Sequence, residues 1–288
     1  MLKYFKNISK NVIICYAIAI ITLLLMFVLS YAILYNITPQ VLITANRILI
    51  IAAFVIVGGA CFLVSMYMKR AVISPDENIY VSQDLSFYLK RVISLPLLTG
   101  LIGFGISFIG GVIFSFLLDS LTKLRENNFA LFCAIVKIPL FIGFVVVLAV
   151  LLYHNGFDDS AVKSFNPHLM LVALILSFAF MMPVTVGDYM YENLEVRGSV
   201  SYMDSGRTGS RSQGKRFYNV QTAFSNNEDL YKDNYDLTLN ENFSDAWVIT
   251  SILLSMAIQI FCAMAAYDMG RKKYYKKHKL YNHGGTIK

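Results

Sequence analysis

The chain has 288 residues, of which 57% are hydrophobic and 15% are charged, whereas a soluble domain carries about a quarter charged residues. This composition excludes an ordinary soluble globular protein and predicts an integral membrane protein. The formal net charge of +7 does not indicate nucleic-acid binding, because the basic residues lie at the ends of apolar stretches rather than on one surface with interleaved aromatics.

Six apolar stretches, five of them without a charged residue, are each close to the ~20 residues that a helix needs to cross a ~30 Å hydrocarbon core. Lipid offers backbone amides no hydrogen-bond partner, so such stretches must be helices. We predict an all-α, polytopic bundle of six transmembrane helices, with a polar outer loop between spans five and six. The predicted spans are residues 11–35, 48–68, 92–118, 129–153, 169–187 and 246–267.

Basic residues near the span ends predict the orientation. Three lysines precede the first span, four basic residues flank the loop at 69–91, and seven follow the last span. The positive-inside rule therefore places both termini in the cytoplasm, with a bacterial plasma membrane as the expected location. The loop predicted at 154–168 is assigned to the cytoplasm, although it contains one basic residue, Lys163, and two acidic ones, Asp158 and Asp159. A pair of re-entrant segments within spans three to five, which keeps the same parity, is an alternative.

A short helix is predicted within the loop at 69–91. Ser74, Pro75 and Glu77 have the order of a capped helix start with proline at the first helical position. This helix either lies against the lipid headgroups before span three or forms a plain extension of that span.

Small residues recur every four positions along one face of span three. Small side chains at this spacing let the backbone of another helix come close, which is how helices associate in lipid. The sequence therefore predicts close packing, either within the chain or against a partner subunit. The residues of this stripe are Thr99, Gly103, Ser107, Gly111 and Ser115.

Span six carries a comparable stripe at Ser251, Ser255 and Gln259. The amide of Gln259 needs a partner at this depth, so this face should turn toward protein or a wet cavity and away from lipid. Hydrogen bonding to span three is the expected arrangement. The alternative is that the stripe lines a permeation path.

Lys137 is the one charged residue inside a predicted span, two residues before Pro139. It either binds the backbone carbonyl that the proline frees or anchors the span at the interface. With Gln259 it marks a possible polar path. No acidic residue lies centrally in any predicted span, which disfavours a proton- or sodium-coupled carrier.

The chain is predicted to comprise a membrane domain (1–187), a polar extracytoplasmic loop (188–245), and the sixth span with a basic cytoplasmic tail (246–288). The first half of the loop is rich in Gly, Ser and Arg, which is typical of a flexible segment. Alternating apolar residues at 218–224 and 235–239 predict two short strands that pair as a hairpin.

The tail contains a dense group of cations directly after span six. Each cation near an anionic leaflet contributes about 1 kcal/mol, so this group predicts contact with anionic lipid or a partner. A topological stop is the simpler alternative. The cations are Arg271, Lys272, Lys273, Lys276, Lys277 and Lys279.

No catalytic, metal-binding or cofactor-binding motif is predicted. His154 and His168 bracket two aspartates without the spacing of a known metal site, and Arg216 replaces the hydroxyl that a phosphate-binding loop requires. We therefore predict a non-catalytic integral membrane subunit of a transport, export or secretion assembly. Its expected partners are other membrane subunits and anionic lipids, not nucleic acid. The alternative is a self-contained permease or channel for a small or lipophilic solute, and a membrane-embedded enzyme ranks third.

Overall fold

The described part of the protein contains six helices long and apolar enough to cross a membrane, which confirms the predicted all-α, multi-pass bundle. The computed structural model describes residues 9–36, 39–70, 84–120, 129–162, 164–192, 194–197, 199–204, 207–212, 236–239 and 245–278. The helices are α1 (Lys10–Asn36), α2 (Pro39–Arg70), α3 (Leu85–Ser120), α4 (Phe129–Ala161), α5 (Pro167–Glu192) and α6 (Asp245–Lys277).

Two of the helix starts are fixed by polar caps. Asn166 precedes α5, and its Oδ1 accepts a hydrogen bond of 3.0 Å from the backbone N–H of Leu169. Pro167 occupies the first helical position, where its missing N–H costs nothing. Ser9 caps α1 in the same way, since its Oγ accepts from the N–H of Val12 at 3.4 Å.

Spans three to five are continuous helices of 36, 33 and 26 residues, so the re-entrant alternative is not found. α3 begins at Leu85, which makes residues 85–91 an extension of span three rather than a separate helix on the headgroups. The helix start predicted at Ser74 lies outside the described residues.

The predicted loop at 154–168 is wrong over its first half, because α4 continues to Ala161. Hydropathy falls in this segment, yet its polar side chains are held against α3 and α6 and the helix does not stop. α6 likewise extends ten residues beyond the predicted end of its span, to Lys277. Helix ends therefore depend here on tertiary contacts as well as on the local loss of apolar residues.

The loop between α5 and α6 contains two small antiparallel sheets. β1 (Leu194–Arg197) pairs with β4 (Asp236–Leu239), and β2 (Ser199–Asp204) pairs with β3 (Arg207–Ser212). β4 confirms the strand expected near 235–239, but its partner is β1 instead of the segment 218–224, which lies outside the described residues. The β2–β3 pair lies in the Gly/Ser/Arg half, where the sequence predicted no strand.

α5 is the central helix of the bundle. Within the apolar window of each span, 61% of α5 is buried but only 11% of α4. α5 packs on α1, α2, α3 and α6, whereas α4 packs mainly on α6 and to a lesser extent on α3. Helices α3, α4, α6 and α5 consequently form a closed ring, each in contact with the next.

Contacts between helix ends place the start of α1 and the end of α6 at the same end of the bundle. Tyr16 near the start of α1 lies against His168 at the start of α5, with 3.0 Å between Oη and Nδ1. Asn166, just before α5, donates its N–H to the hydroxyl of Tyr267 near the end of α6 at 3.2 Å. We call this end, with Tyr16, His168, Asn166 and Tyr267, the polar end.

Candidate functional site

A cavity of approximately 270 Å³ lies inside the ring formed by α3, α4, α5 and α6. We call it the central cavity. Its walls are mostly apolar and include aromatic and methionine side chains, which adapt readily to the shape of a bound molecule. The larger of these side chains are Phe141, Phe144, Phe178, Met181, Met182 and Met256.

Four hydroxyl groups line the central cavity, and each donates its proton to its own helix. Thr99 Oγ1 donates to the carbonyl of Leu95 at 2.8 Å, and Ser177 Oγ donates to that of Ala173 at 2.8 Å. Thr185 and Ser255 make the same kind of bond at 3.1 and 2.8 Å. Since each proton is used internally, these oxygens present lone pairs as hydrogen-bond acceptors.

Gln259 also lines the central cavity and is half-buried. It makes no hydrogen bond to any other described residue, although an amide has two donors and an acceptor to satisfy. It lies 10 residues after Ile249, where the sixth span begins, and so about 15 Å into that span. At that depth the unused amide is the strongest polar feature of the cavity.

The structure describes the surroundings of two residues of the small-residue stripe of span three, Thr99 and Gly103. Gly103 lies against side chains, since a Cβ there would be 2.7 Å from Met181 Cε and 3.6 Å from Phe144 Cε2. Thr99 is buried, and Gly110 faces Leu140 of α4. At Gly103 the stripe therefore receives large side chains from α4 and α5, while the close packing predicted along the rest of the stripe stays a prediction.

Direct packing of span three on span six is not found in the described residues. α3 and α6 touch at most marginally, while both contribute to the lining of the central cavity. The structure therefore brings Thr99, Gly103, Ser255 and Gln259 around one space without placing them in contact. Ser251 is half-buried and does not line it.

Several predicted site residues fall outside the side chains that the structure describes. Lys137 lies on α4 one turn before Leu140, which lines the central cavity, but the position of its amine is not described. The possible path between Lys137 and Gln259 therefore stays a prediction. The surroundings of Ser107, Gly111 and Ser115, and the whole of Lys279, also lie outside the described part.

The polar end closes the bundle on one side of the central cavity. Arg91 of α3 forms an ion pair with Asp159 of α4, and its Nη1 donates to Asn155 Oδ1 at 3.0 Å. The Asp159 side chain is 3% exposed and that of Arg91 is 24% exposed. A buried carboxylate needs such a partner, because an unpaired charge away from water is strongly destabilising.

Tyr267 of α6 completes this network. Its hydroxyl donates to Asp159 Oδ2 at 2.8 Å, so guanidinium and phenol occupy both carboxylate oxygens. The Tyr267 ring stacks on the Phe165 ring, with 4.5 Å between the two centroids. The guanidinium of Arg271 lies 4.9 Å from the centroid of the Phe165 ring. The network joins α3, α4, α6 and the segment before α5.

The backbones of α4 and α6 approach each other closely at two glycines. Gly156 lies against the backbone of Tyr267, and Gly270 lies against the backbone of Tyr153. Neither position has room for a Cβ atom. A close backbone contact, of the kind that the sequence predicted for span three, is made here by two other glycines.

Sequence reasoning missed the residues of the polar end. Arg91 counted only as a topological cation, Asp159 was placed in a loop, and Tyr267 was the last residue of an apolar stretch. No local pattern links positions that are 68 and 108 residues apart. Gly156 and Gly270 were the available signal for a close helix crossing, since each interrupts a run of larger residues.

The tail cations divide into two groups. Lys272, Lys273, Lys276 and Lys277 are exposed on the last turns of α6. Arg271 departs from the predicted surface group, because it is 4% exposed and packs on Phe165.

The two histidines that flank Asp158 and Asp159 do not assemble a common site. His168 contacts Tyr16, and Asp159 is engaged by Arg91. Among the described residues, no group of three His, Cys, Asp or Glu side chains is placed to share a metal ion. Comparison of the chain with protein-family models, with curated protein sequences and with solved structures found no match.

Proposed function

We propose that this multi-pass membrane protein is a non-catalytic subunit of a transport, export or secretion assembly. The observation that carries the proposal is a notch on the outward face of α2. Gly58 and Gly59 are exposed, and nothing lies within 4 Å of the positions that their Cβ atoms would occupy. Exposed large apolar side chains, including Phe54 and Phe62, flank the notch. In lipid, such a notch lets a helix of another subunit approach closely.

The use of the buried carboxylate supports a structural role. Arg91 and Tyr267 each donate to one oxygen of Asp159, which is 3% exposed, so this group links α3, α4 and α6. A catalytic base or an ion-coupling carboxylate must instead exchange its proton or ion during each cycle.

Mild detergent extraction followed by size-exclusion chromatography tests the proposal. We expect the chain to elute in a complex with membrane proteins of constant identity and stoichiometry. The double variant Gly58→Leu, Gly59→Leu fills the notch and should release the partner, while Ala17→Leu on the exposed side of α1 should not. Reproducible elution of the unmodified chain as a lone monomer would contradict a stable assembly.

We also propose that the polar end faces the cytoplasm of a bacterial cell, with the exposed lysines of the α6 tail against anionic headgroups. The end of α2 also lies at this end, because Asn11 Nδ2 near the start of α1 donates to the carbonyl of Arg70 at 2.7 Å. Support comes from the cations gathered here, which include Lys69 and Arg70 in the last turn of α2 and Lys276 and Lys277 in that of α6. Reporter fusions at the two termini should both report the cytoplasm. Opposite reports from the two fusions would exclude this orientation.

A second candidate function, a self-contained permease, is favoured by the central cavity and by the unused amide of Gln259. Its test is solute flux into liposomes that contain only this protein. Flux that Gln259→Leu reduces would support a permease and count against an obligate subunit. Absence of flux together with a stable hetero-complex would support the first proposal.

A further inference from the structure

We propose that the central cavity is a binding site for a neutral, lipid-soluble molecule that carries a hydroxyl group on a hydrocarbon body, such as a medium-chain alcohol. Binding at this cavity requires neither a partner subunit nor net transport. The inference therefore stands or falls independently of both functions proposed above.

The position of the cavity defines the medium from which a ligand arrives. It lies between four spans and is lined by residues such as Gly103, Leu148 and Leu174, which sit within apolar stretches. The Arg91–Asp159–Tyr267 network closes the polar end of the same helices. Thr99 is eight residues beyond Arg91, so the cavity begins about 12 Å from that end. A molecule dissolved in the bilayer reaches this depth more easily than a hydrated solute.

The volume limits the size of the ligand. The cavity of approximately 270 Å³ corresponds to about nine molecules of liquid water at ~30 Å³ each. A molecule, or the part of a molecule, with about ten non-hydrogen atoms therefore fits. This is at the small end of the range for ligand pockets.

The lining determines the chemical class. The described side chains around the cavity carry no charge, so an ion would lack a counter-charge there. The hydroxyls of Thr99, Ser177, Thr185 and Ser255 donate to carbonyls of their own helices, so their oxygens are available to accept a hydrogen bond from a ligand. Gln259 adds an amide that both donates and accepts. A hydroxyl group matches this set, because it can donate to an oxygen and accept from the amide.

Photolabelling in proteoliposomes tests the proposal on the full chain. The probe is a 1-decanol analogue with a diazirine on its alkyl chain, and labelled residues are mapped by mass spectrometry. We expect saturable labelling of residues that line the cavity, such as Phe144, Met181 and Met256. Unlabelled 1-decanol should compete, and decane, which lacks the hydroxyl, should compete much less.

Matched variants separate the cavity from the lipid-facing surface. Ser255→Phe fills the cavity and should abolish saturable labelling, whereas the neighbouring Leu254→Phe changes a side chain that is 60% exposed and should leave it intact. Gln259→Leu should raise about fivefold the concentration of 1-decanol that halves the labelling, because the loss of one hydrogen bond of ordinary strength weakens binding by that factor.

Three outcomes would overturn the proposal. Non-saturable labelling spread over exposed residues would mean that the probe samples only bulk lipid. Equal competition by decane would mean that no hydroxyl is recognised. Unchanged saturable labelling in a folded Ser255→Phe variant, with the helical circular dichroism and elution volume of the unmodified protein, would place the probe elsewhere.

Discussion

The crossing of α4 and α6 yields the sharpest prediction, because two glycines at this crossing each face a backbone. In Gly156→Ala the new Cβ would lie 2.9 Å from the carbonyl carbon of Tyr267. In Gly270→Ala it would lie 2.9 Å from the backbone N of Phe157. Non-bonded carbon atoms settle at about 3.5–4.0 Å, so the helices must separate by about 1 Å or slide along each other.

The expected cost follows from what obstructs the new methyl group. Overpacking a well-packed interior costs about 1–3 kcal/mol when neighbouring side chains can adjust. A backbone segment cannot change rotamer, so we expect about 3 kcal/mol of destabilisation for Gly156→Ala and a similar loss for Gly270→Ala. Separation of the helices would also weaken the bond between Tyr267 and Asp159, which spans the same pair.

The assay is reversible unfolding in mixed micelles, followed by circular dichroism as the fraction of denaturing detergent increases. Gly143→Ala is the control, because it lies on the same helix and nothing is within 4 Å of its Cβ position. Alanine is favoured over glycine in a helix by about 1 kcal/mol, so the control should be neutral or slightly stabilised. Equal stability of Gly156→Ala and Gly143→Ala would refute the close backbone crossing.

Three further predictions concern hydrogen-bonded pairs and use the same unfolding assay. Asp159→Asn leaves the Arg91 guanidinium without its counter-charge and should cost about 3–5 kcal/mol, the usual effect of breaking a buried ion pair; a loss below 1 kcal/mol would mean that water already screens the pair. Tyr267→Phe removes the bond to the same carboxylate and also the acceptor of the Asn166 N–H, and should cost at least about 1.5–3 kcal/mol, with a coupling to Asp159→Asn that makes the double variant less than additive. Tyr16→Phe removes the bond to His168 between α1 and α5 and should cost about 1 kcal/mol, independently of the other two; strict additivity with Asp159→Asn checks that independence.

Most of the fold was predictable from the sequence because membrane insertion is decided by local composition. Each of the six spans is an apolar segment that satisfies its own backbone hydrogen bonds, so no knowledge of neighbouring helices is needed to find it. The start of α5 was also locally encoded, since Asn166 and Pro167 form a cap and a first helical position.

The candidate site was only partly predictable. Gln259 was identified as an amide in need of a partner, and it does line an internal space. The partner was expected on span three, but that helix packs on α5, α2 and α4 and leaves a cavity between itself and α6. The spacing of small residues shows which face of a helix can be approached, but it does not say by which helix or by which atoms.

By itself, the sequence determined the membrane class and the six spans found in the described residues, because both depend on the cost of burying polar groups in hydrocarbon. Only the tertiary structure decided that Asp159 is a buried ion-pair partner and that Gly156 and Gly270 are the crossing point of two helices. These properties arise from residues far apart in the chain whose side chains meet only after the helices pack. Lipid drives each helix to form but favours no particular neighbour, so that choice is left to shape and to paired polar groups.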